Sequence, residues 1–574
     1  MSRTIPARES LTVEFKSDRD RLADAELVHS VVGLANTDGG ELFLGVEDDG
    51  QVTGVHAAHD DSAGLAALIG NRTVPPLSVR VERLLEAGRV LLRVEIPRSS
   101  RLVATSDGTL LRRRLKADGS PECVPFLPHE FLSRQADFGL ADPSTVPVRQ
   151  ARLDDLDPFE RQRLRAAIDR FGGDRALLAL GDEELDAALG LVRREGQLRL
   201  PTVLGLLLLG REEALREHLP SHEVAFQVLD GTEVRVNEFM RWPLLRCLER
   251  LDELFSARND EHEIQVGLFR VPVPTIDRRA FREALANALT HRDYTRLGAV
   301  HVRWEPDALT VSNPGGLVEG VTLDNLIVVE PRPRNPALAD AFKRIGLVER
   351  TGRGVDLIYQ GLLRYGRPAP DYRRTDRSSV VLRLSCLDAD LPFFGLILEE
   401  ERRVGALLPV DALLALSLLR EDRRLETTHL AGAIQKDDAA ARRVLERFVE
   451  AGLAEPHGAT RGRTYTLSAQ VYARLGQKGS YVRQVGFDPL QQEQMVLKYV
   501  EAHGTIRRRE VVELCRISDH QAKRLLGRMV VEEQLVRTGE KSAARYGRHP
   551  KILGAPKQDL GVDPKPPKAG KREP

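Results

Sequence analysis

Apolar residues recur along the first hundred positions with two different periods. From about Asp20 to Ala35 they fall at Leu22, Leu27, Val28, Val31, Val32 and Leu34, the spacing of a helix with one buried stripe. That segment runs into Asn36-Thr37-Asp38-Gly39-Gly40, a turn-forming cluster, after which Glu41–Val46 reads as a strand. Val13 and Phe15 flank Glu14, an alternation that sets the carboxylate opposite two apolar side chains of a strand. Asp48-Asp49-Gly50 closes a hairpin into Gln51–Val55. Further on, Pro158–Phe171 reads as a helix, Thr202–Leu209 and Glu223–Leu229 as strands, and Glu238–Phe255 as a longer helix. From Asp277 to about Arg383 come an amphipathic helix (Arg278–Leu289), strands at Val300–Trp304 and Ala308–Ser312, a glycine turn and a helix at Pro336–Ile345. Beyond a leucine-rich junction near 391–408, one layout occurs twice: three short helices, then strand, turn and strand. The helices are Val410–Leu419, Thr427–Ile434 and Asp437–Ala451, then Leu490–Ala502, Arg508–Leu514 and Asp519–Glu532, with Thr427 and Ser518-Asp519 suited to helix N-caps.

The succession predicts an α+β multidomain chain, as its 574 residues require, since one core does not grow to that size. The expected bounds are an α/β domain at 1–135, a connecting region at 150–276, a second compact unit at 277–390, and two similar units at 405–475 and 486–548. A Pro-, Lys- and Gly-rich tail at 549–574 is expected to be disordered and basic. No stretch reaches the roughly 18 apolar residues of a membrane helix, and no apolar run follows Arg3, Arg8 and Glu9, so neither membrane span nor signal peptide is expected. Cys123, Cys247, Cys386 and Cys515 stand far apart without CxxC spacing. That pattern speaks against a disulfide framework or structural zinc and for a reducing, cytoplasmic setting. The 85 basic and 85 acidic side chains cancel, yet the total conceals local patches such as Arg112-Arg113-Arg114-Leu115-Lys116.

Glu9 and Glu14 lie five apart, and Glu47-Asp48 ends the strand after the glycine turn. Two strands of one small sheet would gather these acids beside Lys16, the arrangement a divalent cation needs for phosphodiester cleavage; solvated strand and turn acids are the plainer alternative. Three linked motifs occur in order here: Glu9-Ser10-x-x-Val13-Glu14-Phe15-Lys16, Leu34-Ala35-Asn36-Thr37-Asp38-Gly39-Gly40, and Leu44-Gly45-Val46-Glu47-Asp48-Asp49-Gly50-x-Val52-x-Gly54. Over roughly residues 7–130 the chain resembles the Schlafen AlbA-like domain. The resemblance implies Glu9, Glu14 and Asp48 as catalytic acids binding Mn²⁺ or Mg²⁺ in a nuclease acting on RNA or single-stranded DNA. It also implies a nucleic-acid surface using Lys16, Arg112, Arg113, Arg114 and Lys116. Nucleases of the family pair two such domains; this chain carries one copy, so a dimer would be needed to complete the groove.

In the middle, Phe281-Arg-Glu283-Ala-Leu-Ala-Asn287 places Glu283 and Asn287 one turn apart on a helix. Asn313-Pro314-Gly315-Gly316, Arg334-Asn335-Pro336 and Gly352-Arg353-Gly354 follow. Together these resemble the GHKL-type ATPase domain, an α/β sandwich, in the version carried by bacterial RecG-like regulators. The resemblance implies ATP with Mg²⁺, held by Asn287, with Glu283 orienting a water and Asn313, Gly315, Gly316, Gly352 and Gly354 lining the nucleotide. A scaffold kept for dimerisation is the alternative.

The two C-terminal units have the winged helix-turn-helix layout. Arg442, Arg443 and Arg447 lie on the third helix of the first, with Arg461 and Arg463 at its hairpin; Lys523, Arg524 and Arg528 lie on the third helix of the second, with Lys541, Arg545 and Arg548 at its wing. The chain therefore reads as a cytoplasmic, homo-oligomeric DNA-binding regulator of transcription or stress response. RNA is a second ligand class, and metal-dependent nuclease the rival function. Winged helices that bind protein are the third reading.

Overall fold

In the computed structural model, which describes residues 5–116, 118–266, 269–348, 354–422, 424–458, 463–475, 489–515, 519–539 and 544–549, the chain divides into two units, Met1–Ala389 and Asp390–Pro574. The first unit opens with a four-stranded sheet in the order Val13–Lys16, Gly40–Leu44, Arg89–Ile96, Arg80–Glu86. The first pair is parallel and is joined by the helix Asp24–Ala35; the others are antiparallel. One side of the sheet packs Leu42, Leu44, Leu92 and Val94 on that helix through Leu27, Val31 and Leu34. The other buries Phe15, Phe43, Val46 and Leu91. Glycine is obligatory at the turn between helix and second strand. At Gly40, φ is +137° and a Cβ would lie 2.1 Å from the Thr12 carbonyl oxygen.

A second sheet has five strands in the order Glu233–Met240, Val224–Asp230, Val300–Trp304, Ala308–Pro314, Ser379–Ser385. Only Val224–Asp230 and Val300–Trp304 run parallel. Its apolar face and the helices Leu244–Ser256, Arg278–His291, Pro336–Ile345 and Gly354–Leu363 share one continuous core from Ala151 to Leu384. The expected boundary at 276/277 therefore falls within one sheet. The region read as a connection supplies two of its five strands.

Three elements differ from their sequence reading. Gln51–Val55, expected as the second arm of a hairpin, holds only an isolated bridge between Val52 and Val46. Thr202–Leu209, expected as a strand, is the helix Val203–Leu209 capped by Thr202. A run that is apolar at every position has no period, so alternation and helical spacing fit it equally. Context decides: the Thr202 hydroxyl accepts from Gly205 N at 3.0 Å and donates to Gly190 O at 2.8 Å. Glu238–Phe255, expected as one helix, is the end of the strand Glu233–Met240 and then the helix Leu244–Ser256. Pro243 at the N-cap sets that start, since proline is accommodated at a helix N-terminus and not within it.

In the second unit the helix Leu391–Val404 precedes two modules of one design. The first runs Val410–Glu421, Leu425–Glu426, Thr427–Ala433, Asp438–Glu450, Ala454–His457, Thr464–Leu467. The second runs Pro489–His503, Thr505–Arg507, Arg508–Cys515, Asp519–Val531, Leu535–Thr538, Arg545–Arg548. Each closes a three-stranded antiparallel sheet with its last strand in the middle. The two- and three-residue first strands are too short to show alternation in the sequence. Thr427 lies inside its helix, behind Glu426 at the N-cap. Ser518, and the expected tail beyond His549, lie outside the described residues.

Thr202→Ala removes a cap from a buried helix and leaves Gly190 O without its donor; urea denaturation is expected to show a loss of roughly 1–2 kcal/mol.

Candidate functional site

The helix Arg278–His291 starts where the Asp277 carboxylate accepts from Arg279 N at 2.8 Å and Ala280 N at 3.2 Å. It carries Glu283 and Asn287 on one face with small Ala284 and Ala288 beside them, next to Val311 and Asn313 of the strand Ala308–Pro314. Residues 316–333 and the start of the helix Gly354–Leu363 complete a cavity of about 410 Å³. Of the expected nucleotide-binding residues, Glu283, Asn287, Asn313, Gly316 and Gly354 all line this cavity. Gly315 stands behind its wall at φ +94°, where a Cβ would meet Asp293 Cβ at 2.9 Å. Gly352 lies outside the described residues. Gly354 has a clear reason to be glycine, because a Cβ there would sit 1.8 Å from Glu283 Oε1.

Sequence reasoning missed most of the remaining wall. Val318, Val321, Leu326, Val328 and Tyr372 make it largely apolar, and Arg332 and Lys343 are the two Lys/Arg residues lining it among the described residues. Neither forms an ion pair among the described residues. Lys343, in the last turn of the helix Pro336–Ile345, looks in sequence like a complement to the helix dipole. Its neighbour Arg344 instead pairs with Asp174 at 3.2 Å, while Lys343 borders the cavity.

Behind the cavity, Arg334-Asn335-Pro336 closes the end of the helix Arg278–His291. The last carbonyls of a helix lack backbone donors. Here Asn335 Nδ2 donates to Thr290 O at 3.0 Å and Arg292 O at 2.8 Å, and Arg334 Nε donates to His291 O at 3.0 Å. Arg334, 2% exposed, also donates to Gly316 O at 2.8 Å and pairs with Asp137. Burial and the Arg334 charge push His291 down to about 4, so it borders the cavity as a neutral imidazole.

At the N-terminus the structure brings Glu9 and Glu14 close and leaves Asp48 exposed at a turn. Among the described residues, no three acids, histidines or cysteines gather as a metal-holding group. Glu14, 7% exposed, accepts from Ser30 Oγ at 3.2 Å and is paired with Lys16 at 2.9 Å and with Arg113. Burial chiefly, and then the Glu14 charge, raise the Glu9 carboxyl above its ordinary value, although its Oε1 accepts from Phe15 N at 2.8 Å. Glu47 is engaged elsewhere, by Ser17 Oγ at 2.9 Å and Thr53 Oγ1 at 2.6 Å.

The basic run is not one phosphate-facing patch. Arg113, expected as a phosphate contact, is 3% exposed and spent on Glu14. Alternation along the strand Leu111–Leu115 turns it inward and its neighbours outward. Arg112 pairs with Glu130 at 2.7 Å and Arg114 with Glu122 at 2.7 Å; Lys116 is exposed. In the second unit, Arg442 and Arg443 are exposed on the helix Asp438–Glu450, and Lys523 and Arg524 on the helix Asp519–Val531. Arg463 lies over the Tyr465 ring, 5.6 Å from its centroid, whereas Arg528 pairs with Glu493 at 2.6 Å. Arg461 and Lys541 lie outside the described residues.

Two histidines make stability pH-dependent. His222, 1% exposed with Nε2 2.8 Å from Trp242 O, is pushed down to about 4 by burial, as is His291. The unfolded chain takes up protons near 6.5 that the folded chain refuses, so this stability is full above about 6.5 and is lost as pH falls toward 4. Urea midpoints from pH 7.5 to 4.5 should fall, and His222→Gln should shallow that slope.

Three family models match parts of the chain. Residues 9–118 match the family described as Schlafen, AlbA_2. Residues 131–225 match a domain of unknown function, DUF8451. Residues 298–384 match the family described as "Putative ATP-dependent DNA helicase recG C-terminal". No curated protein matches the chain. Among solved structures, the DIP2311 protein from Corynebacterium diphtheriae is similar at 23% identity and a TM-score of 0.48, over 94% of this chain and 95% of that one. ScpB from Mycobacterium tuberculosis is 12% identical at a TM-score of 0.10, over 25% of this chain and 96% of that one. No described helix is long and apolar enough to cross a membrane. The chain thus carries an AlbA-like domain of the Schlafen type at its N-terminus and an ATPase-like module of the RecG C-terminal type in its middle.

Proposed function

We propose that this protein is a DNA-binding regulator whose second unit engages duplex DNA and whose cavity takes ATP or ADP. The observation that carries the reading is the same basic helix in both repeats: Arg442 and Arg443 in one, Lys523 and Arg524 in the other, all exposed. Helix, strand, helix, helix, strand, strand is the order of a winged helix-turn-helix. In that arrangement the third helix enters the major groove and cations beside it hold phosphates. The AlbA-like domain adds a nucleic-acid surface through Lys116. Cleavage by Glu9, Glu14 and Asp48 is less well supported, because Glu14 already sits between two cations.

The cavity supports a nucleotide through its mixture of an apolar wall with a few convergent polar groups. The Asn287 amide oxygen and the Glu283 carboxylate are hard oxygen donors of the kind Mg²⁺ takes. Arg332 and Lys343 supply positive charge for phosphates. The cation, when bound, would screen phosphate charge; the chain's own part is to seat the base and hold the phosphates.

Two experiments test the reading. Calorimetric titration with ADP and Mg²⁺ should show binding that Asn287→Ala weakens about tenfold, with Lys343→Gln weakening ADP more than adenosine; absence of binding, or indifference to both changes, overturns the nucleotide assignment. In a mobility assay on a 30-base-pair duplex, Arg442→Ala/Arg443→Ala and Lys523→Ala/Arg524→Ala should each weaken binding and flatten its salt dependence. Unchanged affinity in both sinks the DNA assignment.

A further inference from the structure

The loop that walls the cavity is fastened at its near end to the N-terminal part of the chain. Arg98 follows the strand Arg89–Ile96 of the AlbA-like domain, and its Nη1 lies 2.5 Å from Glu319 Oε2. The Glu319 amide donates to Asp137 O at 2.9 Å, at the end of the helix Pro128–Asp137. The carboxylate of that same Asp137 pairs with Arg334, whose Nη2 donates to Gly316 O. Ser133, one turn earlier, donates to Asp293 Oδ2 at 2.6 Å. A second tie joins Asp38, in the glycine turn, to Arg377. That turn in turn rests on residues 96–98, since a Cβ at Gly39 would fall 2.6 Å from Arg98 N.

The chemistry of these ties makes them responsive. Asp293 is 1% exposed; burial opposes its charge, but the Ser133 and Thr295 hydrogen bonds and Arg334 together hold its carboxyl below the usual range. Burial of Asp137 raises its carboxyl despite Arg334. The buried Arg334 has few alternative partners, so a displacement at Gly316 passes to Asp137, and one at Glu319 reaches Asp137 through the backbone bond and Arg98 through a partly exposed ion pair. Val318 and Val321 border the cavity on either side of Glu319 and Gly320, so a ligand that moves this wall must move Glu319 or strain its two ties.

We infer that the ligand state of the cavity is transmitted to the AlbA-like domain through Glu319, Asp137 and Arg98, so that nucleotide in the cavity changes the nucleic-acid affinity of that domain. The inference rests on the nucleotide reading above. By thermodynamic reciprocity, nucleic acid must then change nucleotide affinity by the same factor.

The test uses the full chain. Hydrogen exchange is followed in residues 317–333, 96–99 and 128–137 with and without ADP and Mg²⁺, for the wild type, Arg98→Ala and the exchanged pair Arg98→Glu/Glu319→Arg. ADP affinity is measured in parallel with and without a saturating 20-nucleotide single-stranded DNA. Expected are ADP-dependent changes in all three segments and a shift of at least about fivefold in ADP affinity with DNA present; Arg98→Ala should abolish the change in 96–99 and reduce the affinity shift, and the exchanged pair should partly restore both. ADP protection confined to 317–333, or a shift that Arg98→Ala leaves intact, overturns the coupling while leaving the nucleotide reading in place. If ADP protects no segment, the nucleotide reading falls and the coupling falls with it.

Discussion

The buried guanidinium of Arg334 is the interaction on which the first unit depends. Taking such a charge out of water costs several kcal/mol unless its donors are matched, and removing one partner of a buried pair costs about 3–5 kcal/mol. Here Asp137 supplies the counter-charge, and the carbonyls of His291 and Gly316 accept the remaining bonds. Those three partners belong to three different places: the helix after the AlbA-like domain, the end of the helix bearing Glu283 and Asn287, and the start of the cavity loop. One side chain therefore fixes the distance between the cavity floor, its wall and the preceding domain.

A second buried guanidinium beside it follows the same logic with a different solution. Arg292 is 0% exposed and donates to carbonyl oxygens, those of Ser221, Asp293 and Gly298 among them, while its guanidinium lies 4.7 Å from the centroid of the Tyr294 ring. The Arg113–Glu14–Lys16 group in the AlbA-like domain is a third case, in which two cations share one carboxylate. One motif that looks like chemistry in sequence turns out to hold structure: Arg334-Asn335-Pro336 is joinery behind the cavity, fastened to the end of the helix Arg278–His291.

Much of this is legible in the sequence. The strand Val300–Trp304 and the helix Pro336–Ile345 match their sequence reading to the residue, because Pro336 announces a helix start and the apolar spacing is regular. Spacing sets Glu283 and Asn287 on one helix face, the resemblance adds Asn313, Gly316 and Gly354, and all five line one cavity. What escaped notice has physical reasons. Leu204–Leu209 carries no period, so only the Thr202 cap and its neighbours separate helix from strand. Arg113 is chemically identical to Arg112 and Arg114, and only alternation along the strand Leu111–Leu115 separates the one turned inward from its neighbours. Lys343 looked like an ordinary helix-end cation because the wall opposite it comes from a loop without pattern.

The five-stranded sheet places a limit on how this architecture was assembled. The segment matching the RecG C-terminal family begins at residue 298, yet Val300–Trp304 takes its parallel neighbour from Val224–Asp230. Cut at the family boundary, Val300–Trp304 would become a bare edge with unpaired amides and carbonyls, a template for association with other chains. The unit that folds around this sheet is therefore larger than the segment that sequence similarity recognises, because residues 224–240 supply two of its five strands.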